Sequence, residues 1–184
     1  MKFKDIKQFT NDGNYRISVS FEHLIRWIKE QQEYGLQLNP DFQRGHVWTK
    51  EQQIAWLEYV IRGGRSGREL YFNDPNWMGF DVNKDEYHDF VCVDGLQRIT
   101  AIERFMSNEI PVFGTYFKDY KDPLWFRNKV HVDLVVNNLK SKAEVLQWYI
   151  DMNTGGTPHP TSEIDRVKAL LEEETIVKDE EKDL

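Results

Sequence analysis

The sequence contains very little cysteine and no long apolar run. Among its 184 residues there is one cysteine, Cys92, which excludes an internal disulfide framework and a zinc site built from several cysteines. There is no stretch of about 18 apolar residues and no signal-type N-terminal segment, so we expect a cytoplasmic protein that does not span a membrane. The five histidines show no paired spacing, so a nuclease metal site built on histidine pairs is not expected.

Positive charge is also scarce, because the net charge is −7. This argues against a protein coated in basic surface, such as a histone-like DNA binder. The exception is the segment 62–68, where three arginines alternate with glycines: Arg62, Arg65 and Arg68. Two interpretations stay open for it: a solvated loop after a helix, where cations are favoured, or a loop that grips a nucleic-acid backbone or a nucleotide's outer phosphates.

The aromatic content of 14% and the chain length indicate a globular protein with a real core. We predict one domain over residues 1–175, followed by a charged tail, residues 176–184, that frays. Cys92 lies inside an apolar stretch, where a small buried hydrophobic residue is expected.

Hydrophobic periodicity and capping residues predict a mixed α/β chain. The predicted helices cover Ser20–Tyr34, Thr49 to the Gly63-Gly64 pair, Leu96–Ser107, a segment beginning at Ser141, and Ser162–Glu173. The predicted strands cover Glu69–Asn73, His88–Asp94 and Lys129–Val136, the last with clean alternation of apolar and polar residues.

The most informative motif lies at residues 91–102, where an apolar strand ends at Asp94, turns at Gly95 and enters a helix. Such a turn directs backbone N–H groups and the positive end of the helix dipole at one place, which favours an anion such as phosphate. Asp94 could hold a metal ion there, and Arg98 could clamp phosphate oxygens. An ordinary strand-to-helix turn explains these residues equally well. Within residues 91–102, the start of the helix carries the polar side chains Gln97, Arg98 and Thr100.

A second group of polar residues precedes the second predicted helix. The segment 39–48 begins with Asn-Pro and contains Gln43, Arg44, His46 and Trp48. Fork-shaped polar side chains beside an aromatic ring suit a base or a phosphate edge. Taken alone, the segment is better explained as a common loop with Trp48 as a core anchor.

Together the two segments resemble a known family. The order Asn-Pro-x-Phe-Gln-Arg-x-x-Val-Trp, a helix, two strands and Asp-Gly-x-Gln-Arg is similar to the ParB/sulfiredoxin superfamily. Within it, the sequence most resembles the Asp-Gly-Gln-Gln-Arg domain at the N-terminal end of GmrSD-type, modification-dependent restriction systems. A third segment, residues 152–158 followed by Ser162-Glu163, resembles that family's asparagine-glycine-glycine box. The resemblance extends from about Leu38 to Leu171.

The resemblance implies a compact nucleotide-binding domain with a small mixed sheet and flanking helices. It implies a bound nucleoside triphosphate, for which we expect ATP or GTP rather than CTP, with Mg²⁺ at Asp94, and DNA as a partner. A partner protein or a homo-oligomer also fits. Transferred by position, the nucleotide-binding residues are Gln43, Arg44, Gly95, Leu96, Thr100, Asn153, Gly155 and Gly156. The catalytic candidates are Asp94, Gln97 and Arg98, and the nucleic-acid candidates are Arg62, Arg65 and Arg68.

One departure from the family bears on chemistry. The first Gln of the family's Asp-Gly-Gln-Gln-Arg box is Leu96 here, so this position can offer a phosphate only its backbone N–H. Leu96 also stands where sulfiredoxin-type proteins carry their reactive Cys, and Cys92 is four residues too early to replace it. The main hypothesis from the resemblance is Mg²⁺-dependent phosphoryl transfer, either NTP hydrolysis or transfer to a hydroxyl such as one on DNA. If the side chain lost at Leu96 is catalytic in the family, a switch without turnover is favoured instead. The alternatives are a nucleotide-gated DNA-binding switch without turnover and a DNA nuclease of a restriction system.

Overall fold

A four-stranded mixed sheet forms the centre of the computed structural model, which describes Lys2 and residues 15–43, 45, 47–77, 87–154 and 161–182. The strands are β1 (Tyr15–Ser20), β2 (Glu69–Asn73), β3 (Val91–Asp94) and β4 (His131–Asn137). Their order in the sheet is β1-β4-β2-β3. The central pair β2/β4 is parallel, and the two edge strands pair antiparallel with it. The predicted α/β class with a small mixed sheet is confirmed.

Helices cover both faces of the sheet. They are α1 (Phe21–Glu33), α2 (Lys50–Ile61), α3 (Leu96–Met106), α4 (Pro123–Lys129), α5 (Lys142–Thr154) and α6 (Thr161–Lys182). Two of them begin at the predicted caps. The Thr49 hydroxyl accepts from the Gln52 N–H while the Gln52 side chain accepts from the Thr49 N–H, a complete capping box. The Ser141 hydroxyl likewise accepts from the Glu144 N–H at the start of α5.

Alternation along β3 divides the core into two clusters. The side chain of Cys92 belongs to the larger cluster, which α1, α2 and α3 form with the sheet. Val91 and Val93 point the other way, into a smaller cluster formed with α5 and α6. Because both faces of β3 are covered, all three residues are fully or almost fully buried. The end of β3, at Asp94, therefore emerges between two helical layers.

Two elements were not predicted, and three predicted elements have different bounds. Strand β1 is a mostly exposed edge strand that is stabilised by pairing with β4, so its hydrophobic signal is weak. The short helix α4 begins with proline at its first turn. The strand predicted from His88 begins only at Val91, the strand predicted from Lys129 is His131–Asn137, and the last helix continues to Lys182. The predicted alternation in β4 also ends at Val135, because the central strand is buried on both faces from there on.

Candidate functional site

The site is built around the turn between β3 and α3. Gly95 is the N-cap of α3, and no side chain caps this helix end. The first backbone N–H groups of a helix have no intrahelical acceptor, and together with the helix dipole they attract an anion. Leu96, Gln97 and Arg98, which form the first turn, line a cavity of about 400 Å³. The predicted strand-turn-helix geometry at Asp94-Gly95 is therefore present.

Gly95 is required for this geometry. Its φ of +135° lies in the region that side chains with a Cβ rarely adopt. A Cβ built there would lie 2.8 Å from the Leu70 Cδ2 and 3.4 Å from the Leu70 Cα in the neighbouring strand. Glycine thus permits both the turn and the close approach of α3 to β2.

Asp94 and Arg98 form an ion pair across one turn of α3. The Arg98 Nη2 contacts the Asp94 Oδ2, and the Arg98 Nη1 donates to the Glu69 carbonyl at 2.6 Å. The Arg98 side chain is only 14% exposed, whereas that of Asp94 is 43% exposed. Both residues line the cavity, where Arg98 is a covered cation and Asp94 is the more exposed member of the pair.

Gln97 connects the two sequence motifs. Its Nε2 donates to the Gly45 carbonyl at 2.7 Å, and its Oε1 accepts from the N–H groups of Val47 and Trp48, each at 2.9 Å. One side-chain amide thus fixes the loop before α2 against the first turn of α3. Gln97 therefore positions this loop, and the catalytic role that the sequence predicts for it stays a prediction.

The rest of the segment 39–48 is held in place by contacts with β3, α5 and α6. The Gln43 Nε2 donates to the Cys92 carbonyl, and Gln43 lines the cavity. Arg166 of α6 donates to the carbonyls of Asp41 and Phe42, and Lys142 of α5 pairs with Asp41 at 3.0 Å. Arg44 and His46, the other polar residues of this motif, lie outside the described residues.

Two tryptophans form an aromatic wall that sequence reasoning did not assign to the site. Trp48 and Trp56 both line the cavity, with ring centroids 6.1 Å apart and planes tilted by 55°. The Trp56 indole N–H donates to the Gly67 carbonyl at 3.1 Å, which brings the loop after α2 into the cavity wall. Trp48 was interpreted as a core anchor, but it is only half-buried. A tryptophan directly before a helix N-cap, within a polar motif, was the available signal.

The third motif reaches the cavity in part. Asn153, at the end of α5, lines it, and its Nδ2 donates to the Tyr149 carbonyl at 2.7 Å. Gly155 and Gly156 lie outside the described residues. Thr100 is one turn further along α3, where its hydroxyl donates to the Leu96 carbonyl at 2.9 Å, and it is not among the residues that line the cavity.

Cys92 is a buried residue next to the site. Its side chain is fully buried, and burial raises the pKa of its thiol to about 12. A thiol with so high a pKa stays protonated near neutral pH and is a poor nucleophile. This agrees with the expectation that Cys92 packs as a small hydrophobic residue.

The three arginines after α2 have different surroundings. Arg68 donates to the carbonyls of Val60 at 2.7 Å, His131 at 3.2 Å and Gly64. The Arg62 guanidinium lies 5.0 Å from the centre of the Phe113 ring, and Arg65 is exposed. Two of the three predicted nucleic-acid residues therefore lie at the surface, while Arg68 holds the loop to the sheet.

A metal ion at this site would depend mainly on coordinating atoms supplied by a bound small molecule. Among the residues that the structure describes, no group of three His, Cys, Asp or Glu side chains is arranged to hold a metal ion. Mg²⁺ bound with a nucleotide commonly takes one or two carboxylates and completes its shell with phosphate oxygens and water. Asp94 fits such a minimal role by its position and exposure, since it lines the cavity.

Comparison with known families agrees with this architecture. Residues 24–131, more than half of the chain, match the family described as GmrSD restriction endonuclease, N-terminal domain. The chain belongs to this family. No curated protein and no solved structure matches the chain.

Family membership covers the two central motifs but not the third. The matched residues include Gln43, the segment 94–98 and the arginine loop, whereas Asn153 and the two glycines after it lie beyond residue 131. The family places the chain in the context of restriction systems, whose endonucleases act on DNA. None of the helices in the described part of the chain has the length and apolar character needed to cross a membrane.

Proposed function

We propose that this domain binds a nucleoside triphosphate, ATP or GTP rather than CTP, and that nucleotide binding controls its engagement of DNA within a restriction system. The observation that carries the proposal is the uncapped amino end of α3, which opens into a cavity with an aromatic wall. Both features belong to one site, and each suits a different part of a nucleotide.

The backbone N–H groups and the dipole of α3 suit the phosphates of a nucleotide. The first turn of α3 presents backbone N–H groups, and Arg98, which is paired with Asp94, lies beside them in the cavity lining. Leu96 contributes no polar side chain, so the backbone and the helix dipole provide most of the attraction. The Asp94 carboxylate opposes an anion unless a cation lies between them, which favours a nucleotide that arrives with Mg²⁺.

The size of the cavity and its aromatic wall suit the base of a nucleotide. A cavity of about 400 Å³ lies within the usual range for small-molecule sites, which is about 300–1,000 Å³. Trp48 and Trp56 offer ring surface for stacking, a contact that every nucleobase can make. This wall does not distinguish one base from another, and our preference for ATP or GTP remains an expectation from the family resemblance.

The coupling to DNA runs through α2. Its amino end follows the loop that Gln97 fixes to α3, and its carboxyl end leads into the arginine loop. The Trp56–Gly67 hydrogen bond joins that loop to the cavity wall. A nucleotide that shifts Trp48 or Trp56 would therefore move Arg62 and Arg65, the cations best placed to contact a DNA backbone.

Thermal denaturation with ATP, GTP and CTP, each in Mg²⁺ and in EDTA, tests binding. A ligand at 100 times its Kd adds about 2.7 kcal/mol of stability, which raises the Tm of a domain of this size by roughly 5–10 °C. Leu96→Glu places a carboxylate at the helix start, which suits the dipole but repels phosphate. It should abolish the shift in EDTA, whereas the matched Leu96→Gln variant should keep it. An unchanged shift in Leu96→Glu, or none in the wild type, contradicts the proposal.

DNA affinity measured with and without the responsive nucleotide tests the switch. Binding that changes with nucleotide, and changes equally with a non-hydrolysable analogue, is the expected result. Equal DNA affinity in all conditions would show that the cavity does not control DNA binding.

A second candidate is Mg²⁺-dependent phosphoryl transfer by this domain. It is favoured by Asp94, which is exposed at the cavity mouth where a metal ion could bridge it to the phosphates. Radiolabelled ATP and GTP with Mg²⁺ and DNA would reveal release of phosphate or labelling of DNA. Asp94→Asn should remove turnover and the effect of Mg²⁺ on binding, while nucleotide binding in EDTA becomes tighter because a negative charge is lost.

A third candidate, DNA cleavage by this domain, is favoured by the family to which it belongs. Incubation of plasmid DNA with the protein and Mg²⁺ or Mn²⁺ tests it directly. Nicked or linear plasmid would support cleavage, and intact plasmid would leave the regulatory role as the better explanation.

A further inference from the structure

A strained and exposed phenylalanine lies beside the arginine loop. Phe113 has a φ of +47°, and 40% of its surface is exposed. Apart from Asn108, it is the only described non-glycine residue with a positive φ. A bulky side chain in this conformation is rare, because its Cβ crowds the backbone. Strain of this kind tends to be kept where a side chain has a function.

The strain arises from a tight turn. Val112 and Thr115 exchange two backbone hydrogen bonds of 3.0 Å, and both residues between them, Phe113 and Gly114, have positive φ. This is the turn that asparagine followed by glycine forms most easily. Phenylalanine at the first position weakens the turn and places a large apolar ring at its tip, where water reaches it.

Neighbouring groups hold the ring in place. The Phe113 N–H donates to the Glu58 Oε1 at 3.0 Å, which ties the turn to α2. The Arg62 guanidinium lies over the ring, 5.0 Å from its centre. Arg65 is exposed three residues further on, in a loop that the Tyr59 hydroxyl fixes through Ser66 at 2.6 Å. One ordered surface thus combines an exposed ring with two exposed cations.

We infer that Phe113 stacks on a nucleobase of DNA that is unpaired or pulled out of the duplex, while Arg62 and Arg65 bind the phosphates on either side. The inference rests on the proposed DNA engagement and names its contact. Aromatic rings and arginines are the two components with which proteins hold unstacked bases. Arg62 and Arg65 provide the local positive charge that a polyanion needs in a chain whose net charge is −7.

Binding of the whole chain to fluorescent duplexes, one perfect and one with a single unpaired base, tests the inference. We expect tighter binding to the duplex with the unpaired base. Phe113→Asn should lower affinity for that duplex about tenfold and remove the preference, since stacking on one base typically contributes between about fivefold and a hundredfold in affinity. Its Tm should stay close to that of the wild type, because asparagine relieves the turn while the contact with Arg62 is lost. Phe113→Trp, which keeps an aromatic ring, should keep the preference for the duplex with the unpaired base.

Two further variants separate the contributions. Arg65→Ala should weaken binding to both duplexes and reduce the dependence of log affinity on log salt by about one ion. Tyr34→Asn removes an aromatic residue that is 75% exposed at the end of α1, and should bind like the wild type.

Three results would overturn the inference. If Phe113→Asn and the wild type bind with equal affinity, Phe113 does not stack on a base, while the proposed DNA engagement still holds. If the wild type does not bind DNA, with or without nucleotide, both the stacking role of Phe113 and the proposed DNA engagement are wrong. A concentration-dependent dimer in sedimentation that Phe113→Asn dissolves would show that the surface binds a second copy of the chain instead.

Discussion

The two sets of arginines in this domain have opposite environments. Arg68 and Arg98 are largely covered, and each donates to backbone carbonyl groups of the sheet or the adjacent loop. Arg62 and Arg65 are exposed, and the Arg62 guanidinium lies over an aromatic ring. Three of these four arginines come from a single heptapeptide. Residue type alone therefore does not separate the cations that shape a site from those available to a ligand.

The difference in expected effect follows from the groups that each guanidinium contacts. A buried carbonyl without a donor costs about 1–3 kcal/mol, so an arginine that satisfies several of them is strongly held. An exposed arginine exchanges contacts with water at almost no cost. Within the arginine loop, the covered Arg68 should thus matter for stability, and the exposed Arg62 and Arg65 for binding.

The largest effect is expected for Arg68→Ala. It removes a donor from the carbonyls of Val60, Gly64 and His131, of which Val60 keeps another, the Gly63 N–H. This should lower the free energy of unfolding by about 3 kcal/mol. Urea denaturation measures this, with Arg65→Ala as the matched control that should change stability by less than about 0.5 kcal/mol. Similar values for the two variants would erase the distinction between covered and exposed arginines.

A smaller loss is expected for Gln97→Ala, at about 2 kcal/mol, because three hydrogen bonds to the loop before α2 disappear. Gln97→Glu is the control, since it keeps the acceptor for the Val47 and Trp48 N–H groups and loses only the donor to Gly45. Tryptophan fluorescence during urea denaturation measures the stability of both variants. If Gln97→Ala denatures like the wild type, the loop is held by other contacts.

The smallest effect is expected for Arg62→Ala, about 0.5–1 kcal/mol, which is the usual value of an exposed cation–π contact. Arg62→Lys should recover part of it. Thermal denaturation at low and high salt measures both variants. A loss as large as that of Arg68→Ala would mean that Arg62 belongs with the structural arginines.

Local sequence signals predicted the elements whose cause is local. The capping residues Thr49 and Ser141 mark the starts of α2 and α5, and β2 has the predicted bounds. Strand β1 and the double burial at the end of β4 were missed, because both depend on which strands become neighbours. Periodicity within one segment carries no information about that choice.

The candidate site divides in the same way. The turn at Asp94-Gly95 and its helix follow from the residues themselves, since an Asp-Gly pair after an apolar strand favours a turn. The aromatic wall was missed, because Trp48 and Trp56 meet Gly67 only after α2 and the following loop are in place. The roles predicted for Arg44, Gly155 and Gly156 remain predictions.

The sequence by itself determined the α/β class, the Asp94-Gly95 turn, the positions of two helix caps and the family resemblance, all of which depend on neighbouring residues or on motif order. The tertiary structure alone decided that Gln97 would fix a loop some fifty residues earlier in the chain, and that Arg68 would be covered while Arg65 is not. The physical reason is that a polar side chain takes the partners that folding leaves unsatisfied. Those partners are set by the packing of distant segments and not by the local sequence.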